Sequence, residues 1–352
     1  MCKKYFLFFG ILIVVCLLSS HAYSQPVVKL LATGGTIAMK IDPVKKTPVP
    51  AISGEDLLAL VPDIANYAKI EVENPFNIAS DYMDPDKWIK IQKLVTAALE
   101  RPEVAGVVVS HGTDTLEETA FFLDLTVKSS KPIVLTAAMR PASDPDFDGP
   151  RNLLNAVKIC VSPEARDKGA FIALNGQINA AREATKTSSL NVETFKSGDH
   201  GFLGHVDFDK VYFYRSPLRR QYIPLTSEKL PDINIVPMYA GADGSMIKAA
   251  IDHGAKGIVV IAMGAGNVNI PMYEAIKNAI DKGIQVVISS RVPTGRTRSQ
   301  YYSFMVGGGM SLAKIGAILG DDLNPQKARI LLMLLLQDPD IKSENIQKHF
   351  FK

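Results

Sequence analysis

One stretch of the chain, residues 106–119, decides the fold class, and it reads GVVVSHGTDTLEET. Its first four residues are apolar and mostly β-branched, which is typical of a short strand buried on both faces. A turn that contains Gly112 follows, and residues 115–127 then show the apolar spacing of an amphipathic helix. Strand, tight turn and helix in this order form the unit from which parallel α/β sheets are built.

The same alternation extends in both directions from this stretch. Short apolar runs predict six further strands, at residues 27–31, 133–137, 170–174, 232–239, 257–262 and 284–289. Helical patterns lie at residues 84–99, 152–161 and 325–336. The first of these helices has a typical start, because Asp84 offers a cap and Pro85 fits the first turn.

A break in the pattern divides the chain into two domains. Residues 212–231 contain several prolines and no clear period, which indicates a linker. We expect a larger N-terminal domain, residues 25–211, with a mostly parallel sheet flanked by helices. A smaller C-terminal α/β domain would occupy residues 232–352.

The N-terminus has the composition of a secretory signal peptide, residues 1–24. Lys3 and Lys4 precede an apolar run at residues 5–18, which is shorter than the ~20 residues of a membrane span. Cleavage after Ser24 would leave a periplasmic or secreted protein without a stable membrane anchor; the alternative is a retained anchor. It would also lower the formal net charge from +3 to +1 and leave Cys160 as the single cysteine. Such a charge argues against a nucleic-acid partner.

Two glycine turns follow predicted strands and carry hydroxyl groups. Residues 33–38 read TGGTIA, and residues 110–115 read SHGTDT. A threonine hydroxyl needs a neighbour that accepts its proton, and Asp114 adjoins Thr113. Lys186 would complete a proton relay of threonine, lysine and aspartate, although the sequence does not connect it to Thr113. The alternative interpretation of either motif alone is a tight turn capped by Thr or Asp.

Other chemistries lack their motifs. The chain has no Gly-x-Ser-x-Gly elbow, no Walker loop and no His-Glu-x-x-His sequence. The six histidines are scattered. His200 and His205 are the nearest pair, and the sequence around them does not supply the further ligands of a metal site.

Eight segments resemble the signature sequences of bacterial type II L-asparaginases. In chain order they are residues 33–38 (TGGTIA), 111–120 (HGTDTLEETA), 122–127 (FLDLTV), 138–141 (AMRP), 148–150 (DGP), 184–187 (ATKT), 290–295 (SRVPTG) and 323–329 (LNPQKAR). The resemblance extends from about Val27 to the C-terminus. It implies hydrolysis of the side-chain amide of L-Asn to L-Asp and ammonia, with L-Gln as a further substrate of some members. It also implies a homotetramer of two close dimers, without metal or cofactor.

The resemblance carries roles over to individual residues. Thr36 would be the nucleophile that forms an acyl-enzyme. Thr113, activated by Lys186 and Asp114, would position or activate water, and the order in which the two threonines act stays open.

Substrate binding is implied for a second set of residues. Ser80 and Asp114 would bind the α-carboxylate and α-amine ends of the substrate. Backbone N–H groups near Thr113 and Ala138 would stabilise the oxyanion.

Four positions depart from the family pattern. The lid, residues 39–52, has no tyrosine, and Thr47 falls where one is expected. Asp81 replaces a glutamine after Ser80, and Ala265 stands at the position of an asparagine.

The fourth departure concerns the neighbouring subunit. Tyr302 stands where a glutamate would reach the site from that subunit. Tyr301 or Tyr302 would then supply the missing phenol across the interface, or only pack there. The departures leave open a broader glutaminase-asparaginase, another amide hydrolase, or a periplasmic amino-acid-binding protein with weak catalysis.

Overall fold

The computed structural model describes residues 25–300 and 305–352. The predicted signal peptide, residues 1–24, lies outside the described residues, as do Tyr301 and Tyr302. None of the helices in the described ranges is both long enough and apolar enough to cross a membrane.

Strands in the described residues number sixteen. They are β1 (Val27–Ala32), β2 (Met39–Ile41), β3 (Pro48–Pro50), β4 (Lys69–Glu73), β5 (Val104–Ser110), β6 (Ile133–Thr136), β7 (Ala170–Leu174), β8 (Gln177–Ala180), β9 (Thr185–Lys186), β10 (Phe195–Lys196), β11 (Gly204–Asp207), β12 (Lys210–Phe213), β13 (Ile233–Pro237), β14 (Gly257–Ala262), β15 (Gln285–Ser290) and β16 (Ile318–Leu319).

Nine α-helices accompany them within the same ranges. They are α1 (Gly54–Ala59), α2 (Pro85–Glu100), α3 (Leu116–Thr126), α4 (Gly149–Val161), α5 (Ser245–Asp252), α6 (Ile270–Asp281), α7 (Gly309–Lys314), α8 (Pro325–Leu335) and α9 (Ser343–Phe350).

The larger sheet has eight strands in the order β12-β11-β8-β7-β6-β5-β1-β4. Pairing is parallel from β4 through β1, β5 and β6 to β7, and antiparallel from β7 through β8 and β11 to β12. The smaller sheet, β13-β14-β15-β16, is parallel throughout. The predicted two-domain α/β fold with a mostly parallel larger sheet is therefore confirmed.

Helices cover both faces of the larger sheet, as expected for buried parallel strands. One apolar cluster joins α2 and α3 to the sheet, and a second cluster joins α1 and α4 to the opposite face. The first cluster also includes residues of α8 and of the smaller sheet, so the two domains share a continuous core.

Ends of the predicted elements differ from the observed ones by at most three residues. Asp84 caps α2 as predicted, since its side chain accepts a hydrogen bond from the Lys87 N–H at 2.9 Å. The sequence pattern missed β4 and the antiparallel strands β8, β11 and β12. Strand β12 includes Tyr212 and Phe213, the first residues of the predicted linker.

Cys160 is the free cysteine of the described residues. It lies buried on α4 next to Gly106, where an added Cβ would approach the Cys160 Sγ to 3.0 Å. Burial raises the pKa of the thiol. The side chain therefore acts as a small apolar group.

Candidate active site

The two glycine turns predicted to carry chemistry lie in direct contact. Strands β1 and β5 are parallel neighbours, and the Thr33 N–H and hydroxyl both donate to the Ser110 carbonyl, at 3.0 and 2.9 Å. Gly35 has a φ of 83°, and an added Cβ there would lie 2.2 Å from the Gly112 Cα. Such closeness is possible only without side chains. It places Thr36 and Thr113 on adjoining turns at the carboxyl edge of the sheet.

Lys186 reaches this edge from the two-stranded ribbon of β9 and β10, where it pairs with Phe195. Its Nζ donates to the Thr113 Oγ1 at 2.9 Å and to the Asp114 Oδ1 at 2.6 Å. The structure thus brings together the three residues that sequence alone did not connect. Asp114 is largely exposed, whereas Thr113 is buried.

Glu117 is a residue of this site that the sequence interpretation missed. It lies in the first turn of α3, is buried, and accepts a hydrogen bond from the Lys186 N–H on its Oε2 at 2.8 Å. The sequence signal was weak, because an acidic residue in the first turn of a helix is common for reasons of helix charge alone.

Ser80 closes the site from a short 3-10 turn, Ser80–Tyr82. Its Oγ accepts a hydrogen bond from the Asp114 N–H at 3.2 Å, and its carbonyl accepts one from the Thr115 hydroxyl at 2.7 Å. Ser80 is buried, while Asp81 is exposed beside it. The hydroxyl proton of Ser80 therefore stays available for a ligand.

His111 fixes the peptide that precedes Thr113. Its ring is fully buried, and this burial lowers the pKa of the imidazole to about 4, so the ring is neutral. The Gly112 carbonyl lies 2.7 Å from Nδ1 and can only accept, so Nδ1 carries the proton. Nε2 then accepts from the Thr119 hydroxyl at 3.0 Å, and that oxygen accepts from the Trp88 indole N–H at 2.9 Å.

This chain of hydrogen bonds has a consequence for the neighbouring N–H group. In a trans peptide the carbonyl and the next N–H point in opposite directions. The Thr113 N–H therefore points away from His111, and no group among the described residues accepts it. A donor held in this way suits a developing negative charge.

Ala138 lies at the same edge, two residues beyond β6, and is buried. The loop after it is held by Asp148, whose carboxylate accepts the Met139 N–H at 3.1 Å and the Arg140 N–H at 3.0 Å. Asn152 adds a bond to the Ala137 carbonyl at 3.0 Å. The predicted oxyanion position is thus part of a well-bonded loop.

No metal centre occurs in the described residues: nowhere in residues 25–300 and 305–352 do three or more His, Cys, Asp or Glu side chains cluster as ligands.

Two family profiles cover nearly the whole described chain. The profile of the N-terminal asparaginase domain matches residues 27–219, and that of the glutaminase/asparaginase C-terminal domain matches residues 232–350. The chain belongs to the asparaginase family. The resemblance inferred from the sequence motifs is confirmed, and the family is one of amidohydrolases.

Individual relatives resemble this family member over almost their full length. A probable periplasmic L-asparaginase of Haemophilus influenzae is 38% identical over 341 residues, covering 94% of this chain and 94% of that protein. L-asparaginase 2 of Escherichia coli is 38% identical over 325 residues, covering 90% and 91%. A glutaminase-asparaginase of Pseudomonas fluorescens is 33% identical and covers 92% and 90%.

A solved structure matches the fold equally well. The crystal structure of a probable cytoplasmic L-asparaginase from Campylobacter jejuni has a TM-score of 0.86 and 40% sequence identity, covering 93% of this chain and 100% of that chain. Periplasmic and cytoplasmic relatives therefore share this asparaginase fold, so similarity alone does not assign a compartment.

Proposed function

We propose that this protein hydrolyses the side-chain amide of L-asparagine to L-aspartate and ammonia through a threonine acyl-enzyme. The observation that carries the proposal is the contact of the Lys186 Nζ with both Thr113 and Asp114, at 2.9 and 2.6 Å, beside the turn of Thr36. A site that only bound an amino acid would have no need for a lysine that hydrogen-bonds to a buried hydroxyl.

Acylation begins at Thr36 in the proposed sequence of steps. Its Oγ attacks the amide carbon, the C–N bond breaks, and the hydroxyl proton leaves with the ammonia. Water then attacks the ester carbon and releases L-aspartate. Thr113 orients that water, and one water proton passes by way of the Thr113 hydroxyl and Lys186 to the Thr36 Oγ as the ester C–O bond breaks.

The oxyanion of each step would lie against backbone donors. The Thr113 N–H is directed by the buried His111, and the Ala138 loop lies at the same edge. The Ser80 hydroxyl would bind the α-carboxylate, and Asp114 the α-ammonium. Asp81 would add a second acceptor for the ammonium.

A broader amide specificity is the second candidate. Asp81 is exposed at the position where the family pattern has a glutamine, and a carboxylate there changes recognition of the amino end. The Pseudomonas fluorescens relative is named a glutaminase-asparaginase. L-glutamine, D-asparagine and a dipeptide amide are therefore the informative competitors of L-asparagine.

Assembly and location complete the proposal. We infer a homotetramer in which a neighbouring subunit completes each site. We also infer export by the signal peptide, residues 1–24, to the periplasm or beyond, and a domain boundary within residues 212–231. A dilution series tests the assembly: activity per subunit should fall as subunits separate, and fully active monomers would contradict it.

Ammonia release from purified protein that begins at Gln25 tests the reaction. We expect release from L-asparagine, and we expect Thr36→Ala and Thr113→Val each to lower kcat by at least about 1,000-fold. Thr226→Val, at an exposed hydroxyl that bonds to Gln337 and to none of the site residues, is the matched control and should keep full activity. An active Thr36→Ala protein would refute the nucleophile. Calorimetric binding of asparagine without ammonia release would favour the binding protein.

A further inference from the structure

Lys327 lies at the start of α8 and is buried with 2% of its surface exposed. Its Nζ donates to the Arg182 carbonyl at 3.1 Å and also to the Ala184 carbonyl. The ring of Phe121, on α3, has its centroid 6.0 Å from the same Nζ. Burial lowers the pKa of this lysine to about 8. An ammonium in such a place costs folding free energy unless its donors are used.

Those two carbonyls belong to the segment that leads into β9. Arg182 and Ala184 precede Lys186 by four and two residues. Lys327 therefore bonds to the backbone immediately before Lys186. The Arg182 Nη2 also donates a hydrogen bond to the Oδ1 of Asp322, in the C-terminal domain, at 2.7 Å. The segment therefore rests on the C-terminal domain rather than on its own sheet alone.

A second connection from α8 reaches Lys186 itself. The Asn324 Oδ1 caps the helix by accepting the Lys327 N–H at 2.9 Å, and its Nδ2 donates to the Glu117 Oε1 at 3.0 Å. The other oxygen of Glu117 accepts the Lys186 N–H at 2.8 Å. Carbonyls before Lys186 and the N–H of Lys186 are thus all fixed by groups that meet at the start of α8.

We propose that Lys327 is a positioning residue for the reaction, which holds the backbone of residues 182–186 so that the Lys186 Nζ lies on Thr113. The proposal rests on the proposed function, since it gives Lys327 its role through Lys186. Lys327 does not contact the site directly. Displacing a reacting group by an ångström lowers rates strongly, because the proton transfer depends on a short, aligned contact.

The variant Lys327→Met removes the ammonium and keeps an unbranched apolar side chain of similar length. We expect kcat for amide hydrolysis to fall about 10- to 100-fold, with KM within about threefold of the native value. We also expect the Lys186 amide hydrogen to exchange with solvent at least about tenfold faster, as its bond to Glu117 loosens. Hydrogen exchange is read by mass spectrometry on peptides that contain residues 182–188.

The matched control is Leu334→Ala, a buried truncation two turns further along α8. It lowers stability through a cavity but makes no bond to the segment of Lys186. At a temperature where both variants are folded, it should keep the native kcat and the native exchange at Lys186. A general loss of stability would affect both variants alike and would overturn the positioning role.

The outcomes separate this inference from the function on which it rests. If native protein releases ammonia and Lys327→Met keeps kcat within about twofold, Lys327 does not position the reaction. Unchanged exchange at Lys186 in that variant also overturns the inference. If native protein releases no ammonia from any amide tested, the proposed function fails instead, and the exchange measurement still decides whether Lys327 holds the segment.

Discussion

The carboxyl edges of the two parallel sheets occupy equivalent places in their domains but are built differently. In the larger sheet the turns after β1 and β5 touch, so that Gly35 and Gly112 leave no room for a Cβ. In the smaller sheet the loop after β13 leaves room at Gly241, where an added Cβ would meet nothing within 4 Å. A parallel sheet provides the edge, but close packing of the turns is what brings reactive side chains together.

The largest expected effect is catalytic and lies at the edge of the larger sheet. Lys186→Met removes the group that contacts Thr113, and we expect kcat for L-asparagine to fall about 100- to 10,000-fold. Lys196→Met, on the partner strand β10, removes a partly exposed ion pair with Glu193 and should leave activity nearly native. Steady-state ammonia release measures both. Equal losses in the two variants would show that the ribbon as a whole, rather than Lys186, matters.

Gly35→Ala and Gly241→Ala test the packing itself at two glycines with positive φ values, 83° and 87°. Both variants put a Cβ at a positive φ, and at Gly35 the ψ of −178° adds a conformation that is essentially restricted to glycine. Only Gly35→Ala adds a backbone clash with Gly112, so we expect it to cost about 2–3 kcal/mol more. Denaturant unfolding measures the difference. Similar free energies of unfolding would mean that the touching turns separate easily.

The smallest expected effect concerns pH. His111 has a folded pKa of about 4, below the value of about 6.5 in an unfolded chain. As pH falls from 7 to 5, His111 binds a proton in the unfolded state but stays neutral in the folded state. The free energy of unfolding therefore drops by about 2 kcal/mol. His111→Gln should show a shallower loss over this range. His253→Gln, at an exposed position of the C-terminal domain, should keep the native slope.

Strands buried on both faces were predictable because their sequences are continuous apolar runs. Residues 170–174 and 257–262 were predicted with their observed bounds. Strand β4, with the sequence KIEVE, pairs on one side only and is partly exposed, so it lacks such a run. The short strands β8, β11 and β12 form two tight antiparallel hairpins, β7–β8 and β11–β12. The Asn175-Gly176 turn of the first hairpin was a sequence signal that a search for apolar runs does not use.

Site residues were predictable where they follow strands. Thr36 and Thr113 come from the turns after β1 and β5, and the strand order makes them neighbours. Lys186 was suggested by its chemistry and given its role by the resemblance, but the sequence did not connect it to Thr113, since their contact spans 73 positions. Glu117 and Lys327 lie within quoted signature segments, but their roles were not predictable, because acidic and basic side chains are normally solvated and their burial is a tertiary property.

Helix α8 packs against both domains, and this packing affects how the chain folds during its synthesis. Helix α3 leaves the ribosome before the linker, whereas α8, which covers part of its apolar surface, is among the last elements synthesised. The N-terminal domain therefore cannot bury all of its apolar surface while the chain is still growing. Completion of the larger domain waits for the last helices, so a chain that stops before Pro325 exposes an unfinished core to aggregation and proteolysis.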